Sequence, residues 1–348
     1  MTINVGILGF AHGHVKSYCK SWRESSELGI NLVAGWDHDA QRASDAADTF
    51  GITLSDSPET LLGRDDITAV VIAAETSMHA DLAEQAARAG KAIIMQKPFA
   101  VTLEQADRIV AAVEQHKVPF TMAWLLRTDP QNQRIKELIE SGTIGKVLMV
   151  RRRHGLSTHL WPNFEESWHV KPELNGSMWA DDAAHPMDFL LWLLGEPVSV
   201  TAEIDTLLNP KIIEDNGIAI FRFADGTIAE VCSSFTCVAG ENTTEVVGEK
   251  GVIIQNYGDV PSCNVPRDAD SPGLKWYLHE DKQWHYSDIA SPDTHSARIV
   301  GLSKPLADFL HGKREPIADV YAGRTALRML LASQQSARDG RRVQLSEI

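Results

Sequence analysis

Ile3-Asn4-Val5-Gly6-Ile7-Leu8-Gly9-Phe10-Ala11-His12-Gly13-His14 opens the chain with an apolar run, a glycine-bearing turn and the start of an amphipathic segment. A short continuous apolar run of this kind reads as a strand buried on both faces. Glycine supplies the tight turn into a helix. Three more apolar runs follow, at residues 32–36, 69–73 and 92–95. Helix-like stretches lie between and after them, at 14–23, 40–50, 78–89 and 103–115. Two of these end in Phe50-Gly51 and Ala89-Gly90, as helix C-caps do. The alternation specifies an α/β fold, a Rossmann-type doubly wound parallel sheet over residues 1–123. Right-handed crossovers gather the strand ends on one edge, where open α/β sheets take their ligands.

After Thr121-Met122-Ala123-Trp124 the rhythm changes. A helix at 130–141 leads through Gly142 into a strand at 147–153, then a loop at 154–174 rich in Trp, His and Pro. A helix through His185 precedes strands at 199–206, 217–223, 227–235, 241–248 and 251–256, with Ala224-Asp225-Gly226 as a hairpin turn. Two helices, 296–311 and 322–339, close the chain. Residues 124–348 therefore read as an α+β domain with a large, mainly antiparallel, open-faced sheet that binds substrate and mediates oligomerisation. Ile228, Val231 and Phe235 are the expected apolar face of a homodimer or homotetramer.

The 348 residues are 43% hydrophobic and 23% charged, with a formal net charge of −14. That balance argues against nucleic acid or an anionic membrane as partner, because both need a basic face. The four cysteines, Cys19, Cys232, Cys237 and Cys263, have neither metal-site nor redox spacing, which suits a reducing cytoplasm. No signal peptide is expected, and the densest apolar stretch, 189–194, is too short to span a bilayer.

In the opening turn Gly9 is in register with a dinucleotide fingerprint, Ala11 and His14 hold the next two positions, and Gly13 falls one place early. Asp37 ends the second strand at the distance expected of a ribose-binding carboxylate, which favours NAD over NADP. Asp39 is available to cap the helix that follows. In Gln96-Lys97-Pro98-Phe99 a cation stands at the carboxyl end of a strand, before a proline that ends pairing.

With these segments in order, the chain resembles the Gfo/Idh/MocA oxidoreductase family from end to end. The resemblance rests on the glycine loop, Asp37, Ala73-Ala74-Glu75-Thr76-Ser77-Met78-His79 and Gln96-Lys97-Pro98. It continues through Arg127-Thr128-Asp129-Pro130, Gly142-Thr143-Ile144-Gly145, Asp181-x-x-x-His185-x-x-Asp188 and the tail at 336–343. It implies cofactor contacts at Gly9, Phe10, Ala11, His12, Gly13, His14, Asp37, Ala74, Glu75, Thr76, His79, Gln96 and Lys97. Four departures stand out: Gln96 for the usual Glu, Glu75 for the usual Pro, Ala11 for the second glycine, and Gly176-Ser177 for a glycine pair.

Oxidising an alcohol needs a base near neutral pH, and histidine is the default. His185 is assigned as that base, with Asp181 as its partner or as an acceptor for a substrate hydroxyl, in the family register. Asp181, His185 and Asp188 share a helix face, and Asp182 neighbours His185 at i+3. Lys97 would stabilise alkoxide character on the reacting oxygen. Arg127, Trp168 and His169 join Lys97, Asp181, Asp182 and His185 as expected substrate contacts. His154, His159 and His169 with Asp181 match no zinc spacing, so no metal is expected. The expected function is NAD-dependent oxidation of a hydroxyl on a sugar, polyol or sugar derivative. The alternatives are NAD-dependent glycoside cleavage through transient oxidation and a non-catalytic NAD-sensing regulator.

Overall fold

The computed structural model describes residues 2–238, 241–258, 273–290, 292 and 295–348. They form two compact units, one of Met1–Leu125, Glu173–Asn175 and Arg298–Leu327, the other of Leu126–Pro172, Gly176–Ala297 and Arg328–Ile348.

The first unit carries β1 (Ile3–Leu8), β2 (Ile30–Trp36), β3 (Thr53–Leu54), β4 (Ala69–Ile72), β5 (Ala92–Met95) and β6 (Phe120–Met122). They pair in parallel in the order β3-β2-β1-β4-β5-β6. This is the doubly wound order, with its switch point between β1 and β4. Around the sheet run α1 (His14–Glu24), α2 (Ala40–Phe50), α3 (Pro58–Leu62), α4 (His79–Arg88) and α5 (Leu103–His116). α1 buries Val15, Tyr18, Cys19 and Trp22, the i, i+3, i+4, i+7 stripe of a helix lying on a core. The sequence reading passed over β3 and α3, although Ser57 before Pro58 is an N-cap signature, and Ser57 does cap that helix.

The sequence reading put everything after residue 123 in one domain, but the structure returns Arg298–Leu327 to the first unit. The reason is local. The buried Trp22 indole needs an acceptor and donates to the Ser303 carbonyl at 2.8 Å. The edge strand β6 needs cover: Met122 N–H donates to the Ala318 carbonyl, and Ile317 N–H donates to Thr121 Oγ1, both at 2.9 Å.

In the second unit lie α6 (Pro130–Glu140), β7 (Val147–Gly155), the short α7 (Pro172–Asn175, shared with the first unit), α8 (Met178–Asp182) and α9 (Ala184–Leu194). The strands β8 (Ser199–Asp205), β9 (Asn216–Arg222), β10 (Ile228–Ser234), β11 (Glu241–Gly248), β12 (Gly251–Gly258), β13 (Leu274–Leu278), β14 (Gln283–Tyr286) and β15 (Val343–Gln344) complete its sheet. Its order is β14-β13-β12-β11-β7-β10-β9-β8-β15, antiparallel except where β7 meets β10. The terminal helices are α10 (His295–Val300), α11 (Ser303–Leu310) and α12 (Val320–Asp339). The expected single helix over 296–311 is thus two.

α9 packs on β7 and β10 and covers one sheet face, where Ala219, Phe221, Val231 and Phe235 are buried. Ile218 and Ile220 point the other way and stay about half exposed. This corrects the expected oligomer face. Strand periodicity of two puts Val231 and Phe235 on the covered side, and only Ile228, half-buried, shares a face with Ile218 and Ile220. Among the described residues no helix is long and apolar enough to cross a membrane.

Candidate active site

The turn after β1 is shaped for a close backbone approach. Gly9 has φ +87, and a Cβ there would lie 2.4 Å from the Ala74 backbone. Its N–H donates to Trp36 O at 2.7 Å and His12 N–H donates to Ala73 O at 3.0 Å, tying the turn to the ends of β2 and β4. Gly13 caps α1 without a side chain, a Cβ there would meet nothing within 4 Å, and the first turn holds no acidic residue. A helix start built this way suits a pyrophosphate, so the residues fit a dinucleotide. Phe10 and His12 are buried, Ala11 and His14 half-buried. The substitution Gly9→Ala is expected to cost about 1–3 kcal/mol through backbone strain alone and to weaken NAD binding. Thermal melts and a nucleotide titration measure both.

In the structure the Asp37 carboxylate accepts from the chain's own donors. Oδ2 accepts from Phe10 N–H and Arg42 Nε, both at 2.7 Å. Oδ1 accepts from Asp39 N–H at 2.9 Å and Arg42 Nη2 at 2.7 Å. A carboxylate has about four acceptor positions, and the chain's own donors take all four. The helix cap goes to Asp39, which accepts from Arg42 N–H at 2.9 Å. Arg42 Nη2 also reaches Glu75 Oε1 at 2.9 Å, across to the loop after β4. Burial alone would lower the Arg42 pKa, but the two carboxylates overrule it and hold the guanidinium above its usual value.

Ala74, Glu75, Thr76 and His79 are all buried in that loop or at the start of α4. Thr76 Oγ1 donates to Asn175 Oδ1 at 2.6 Å. His79 sits between two backbone carbonyls, Nδ1 at 3.3 Å from Phe99 O and Nε2 at 3.2 Å from Ala74 O. Burial lowers its pKa against those carbonyls, and a neutral imidazole donates to one of them at a time. His79 thus braces the β4 and β5 loops. Gln96 is fully buried and its Nε2 donates to Tyr18 Oη at 2.9 Å. Lys97 follows it at the end of β5, 4% exposed, joined to Pro98 by a cis peptide that the sequence did not announce.

In the second unit the expected single helix is broken. α8 ends at Asp182 and α9 begins at Ala184. Pro186 explains the break: it has no N–H for the Asp182 carbonyl, and so belongs in the first turn of a new helix. Ser177 caps α8 by accepting from Ala180 N–H at 3.0 Å, a use for the serine that replaces a glycine. The break sends adjacent carboxylates to different imidazoles. Asp181 Oδ2 is 3.1 Å from His169 Nδ1. Asp182 Oδ2 is 2.9 Å from His154 Nε2, and its Oδ1 is 3.8 Å from His185 Nε2. His154, Asp182 and His185 are buried, with the two imidazole rings 6.0 Å apart.

The face-sharing expected for Asp188 resolves into an ion pair. Arg127 Nε donates to Asp188 Oδ2 at 2.9 Å and Nη2 to Oδ1 at 2.8 Å. Arg127, expected to meet substrate, has a two-pronged contact with a fully buried carboxylate. Trp168 lies against His169 with ring centroids 4.0 Å apart, and Phe164 stacks on His169 at 5.8 Å. His159 Nδ1 is 3.4 Å from Phe235 O. The histidines of this loop therefore go to separate partners. Cys19, Cys232 and Cys237 are free thiols, while Cys263 lies outside the described residues.

The motif DxxxH and the i+3 spacing of Asp182 to His185 were legible in sequence; the pairing of His154 with Asp182 was not. His154 is 28 positions from Asp182, and only the strand register of β7 brings them together. Arg42 was also missed, though its place one turn into the helix after Asp37 was a usable signal.

Two family models match this chain. Residues 3–124 fit one described as an oxidoreductase family, NAD-binding Rossmann fold, and residues 132–254 fit a GFO/IDH/MocA C-terminal domain. The inositol 2-dehydrogenase of Rhizobium meliloti is 30% identical over 262 residues, 73% of this chain and 75% of that protein. The levoglucosan dehydrogenase of Pseudarthrobacter phenanthrenivorans is 29% identical over 242 residues, 62% of each chain. A levoglucosan dehydrogenase solved with NADH and levoglucosan has the same fold, with a TM-score of 0.86 and 22% identity over 99% of this chain and 100% of that one.

Proposed function

This chain belongs to the Gfo/Idh/MocA oxidoreductase family, and we propose that it oxidises a hydroxyl of a sugar, polyol or sugar derivative with NAD. The observation that carries the reading is the buried His185 beside the Asp182 carboxylate, at the break between α8 and α9. Nicotinamide, when bound, accepts the hydride. The chain has to take up the hydroxyl proton and stabilise the oxygen that loses it. His185 is the base. Asp182, whose Oδ1 faces His185 Nε2, orients it and stabilises the imidazolium once the proton has arrived. The sequence left the partner role open between Asp181 and Asp182, and this reading gives it to Asp182. Asp181, 3.1 Å from His169, is assigned to accept from a substrate hydroxyl, and Trp168 to offer a face to a sugar ring.

Lys97 stabilises alkoxide character on the reacting oxygen. Lys97→Met is expected to lower kcat by about 10²–10³-fold, the usual cost of one such donor. Steady-state formation of reduced cofactor measures it. We place the protein in a reducing compartment, in keeping with its free thiols, and as a homo-oligomer through the open sheet face of Ile218 and Ile220.

A panel of sugars and polyols with NAD, followed by the absorbance of reduced nicotinamide, tests the whole reading. Reduced cofactor accumulating in excess over enzyme supports a dehydrogenase. Product release without such accumulation would assign the protein to glycoside cleavage instead, and no turnover on any member would leave it a regulator.

A further inference from the structure

Three strand ends that are neighbours in the sheet, those of β2, β1 and β4, bring Asp37, the Phe10 turn and Glu75 to one edge. Arg42 stitches them together, donating twice to Asp37 and once to Glu75. Asp37 has no side-chain exposure and no acceptor position left over. Glu75 differs. Its Oε1 accepts from Arg42, while its buried Oε2 has no hydrogen-bond partner among the described residues; the nearest cation-forming group is His38, Nδ1 at 3.6 Å. Two carboxylates and one guanidinium leave the cluster with a formal charge of −1 when His38 is neutral.

We propose that Glu75, positioned by Arg42, is the residue that discriminates NAD from its 2′-phosphorylated form: its carboxylate accepts from the 2′-hydroxyl of the adenosine ribose and repels a 2′-phosphate. The inference rests on the dinucleotide-binding reading and extends it. Asp37 then acts at one remove, holding the turn through Phe10 and fixing the guanidinium that aims Glu75. Arg42 is a potential phosphate ligand, since its planar fork matches a phosphate. Glu75 occupies one of its prongs and offsets its charge, so the same arginine that would welcome NADP in another setting does not do so here.

The test is direct binding of NAD and NADP to the full chain, read by calorimetry, for the wild type and three variants. Glu75→Gln keeps the shape and removes the charge. The ratio of NADP to NAD dissociation constants is expected to fall by about tenfold or more, because like-charge repulsion at this range is of that order. In E75Q/R42Q the gain in NADP affinity should be smaller than in E75Q, since the Arg42 prong released from Glu75 adds to the relief of repulsion. Glu75→Asp keeps the charge, and its ratio should stay with the wild type. An E75Q ratio within twofold of the wild type overturns the proposal, and so does an E75D ratio that falls as far as that of E75Q. A wild type that binds neither nucleotide would overturn the dinucleotide-binding reading itself, a different failure from an unchanged ratio.

Discussion

His185→Asn should lower kcat by about 10²–10⁴-fold, the usual worth of a general base, while leaving the affinity for NAD unchanged. The separation follows from placement. Gly9, Asp37 and Arg42 belong to the first unit, and His185 belongs to the second. Asparagine keeps a polar group of comparable reach but cannot take a proton at neutral pH. The wild-type rate should fall towards acid, where the imidazole is already protonated and no longer a base. That acid limb should disappear in the variant. Steady-state rates across pH, with a parallel nucleotide titration, check both parts. A variant that keeps the acid limb would move the base elsewhere, with His154 the first candidate because it shares Asp182.

The same histidine shows where reading a sequence succeeds and where it stops. Strand–helix alternation over the first third was legible because parallel strands buried on both faces leave unbroken apolar runs. β5 falls where its run of four apolar residues ends, and α2 ends at Gly51, whose φ of +61 few other residues adopt. What sequence could not supply was the partner of each charge. Periodicity placed Asp181 and His185 on one face of one helix, but Pro186 interrupts that helix and redirects both carboxylates. Pro186 was in plain view, and its missing N–H was the usable signal. His154 was not reachable in that way, because its pairing with Asp182 depends on how β7 enters a nine-stranded sheet. The Asp37 side chain shows the same limit: spacing located it correctly, but Arg42 and the backbone decide what its oxygens do.

Asp188→Leu should destabilise the second unit by about 3–5 kcal/mol, the cost of stranding the Arg127 guanidinium in a buried site with neither charge nor acceptor opposite it. Asp188 is fully buried and Arg127 nearly so, and their two-pronged contact links the segment before α6 to α9, the helix that carries His185. Urea denaturation measures the loss as a shift in midpoint at constant slope. Replacing both residues, in Arg127→Met with Asp188→Leu, should recover much of it, because no charge is then stranded in an apolar site. The pH dependence has an unusual sign. Burial pushes the Asp188 pKa up, and Arg127 only partly opposes the shift. The folded state therefore binds this proton more tightly than the unfolded chain, whose carboxyl keeps its ordinary value. The contribution is fully present below the unfolded pKa and fades as pH rises through the raised one, the reverse of a carboxylate held down by its partner. Comparing wild type with D188N between mild acid and neutrality isolates it: the difference in unfolding free energy should grow in favour of wild type as the pH falls. If it instead shrinks towards acid, Arg127 rather than burial governs this carboxyl, and the bridge stabilises the helix by attraction alone.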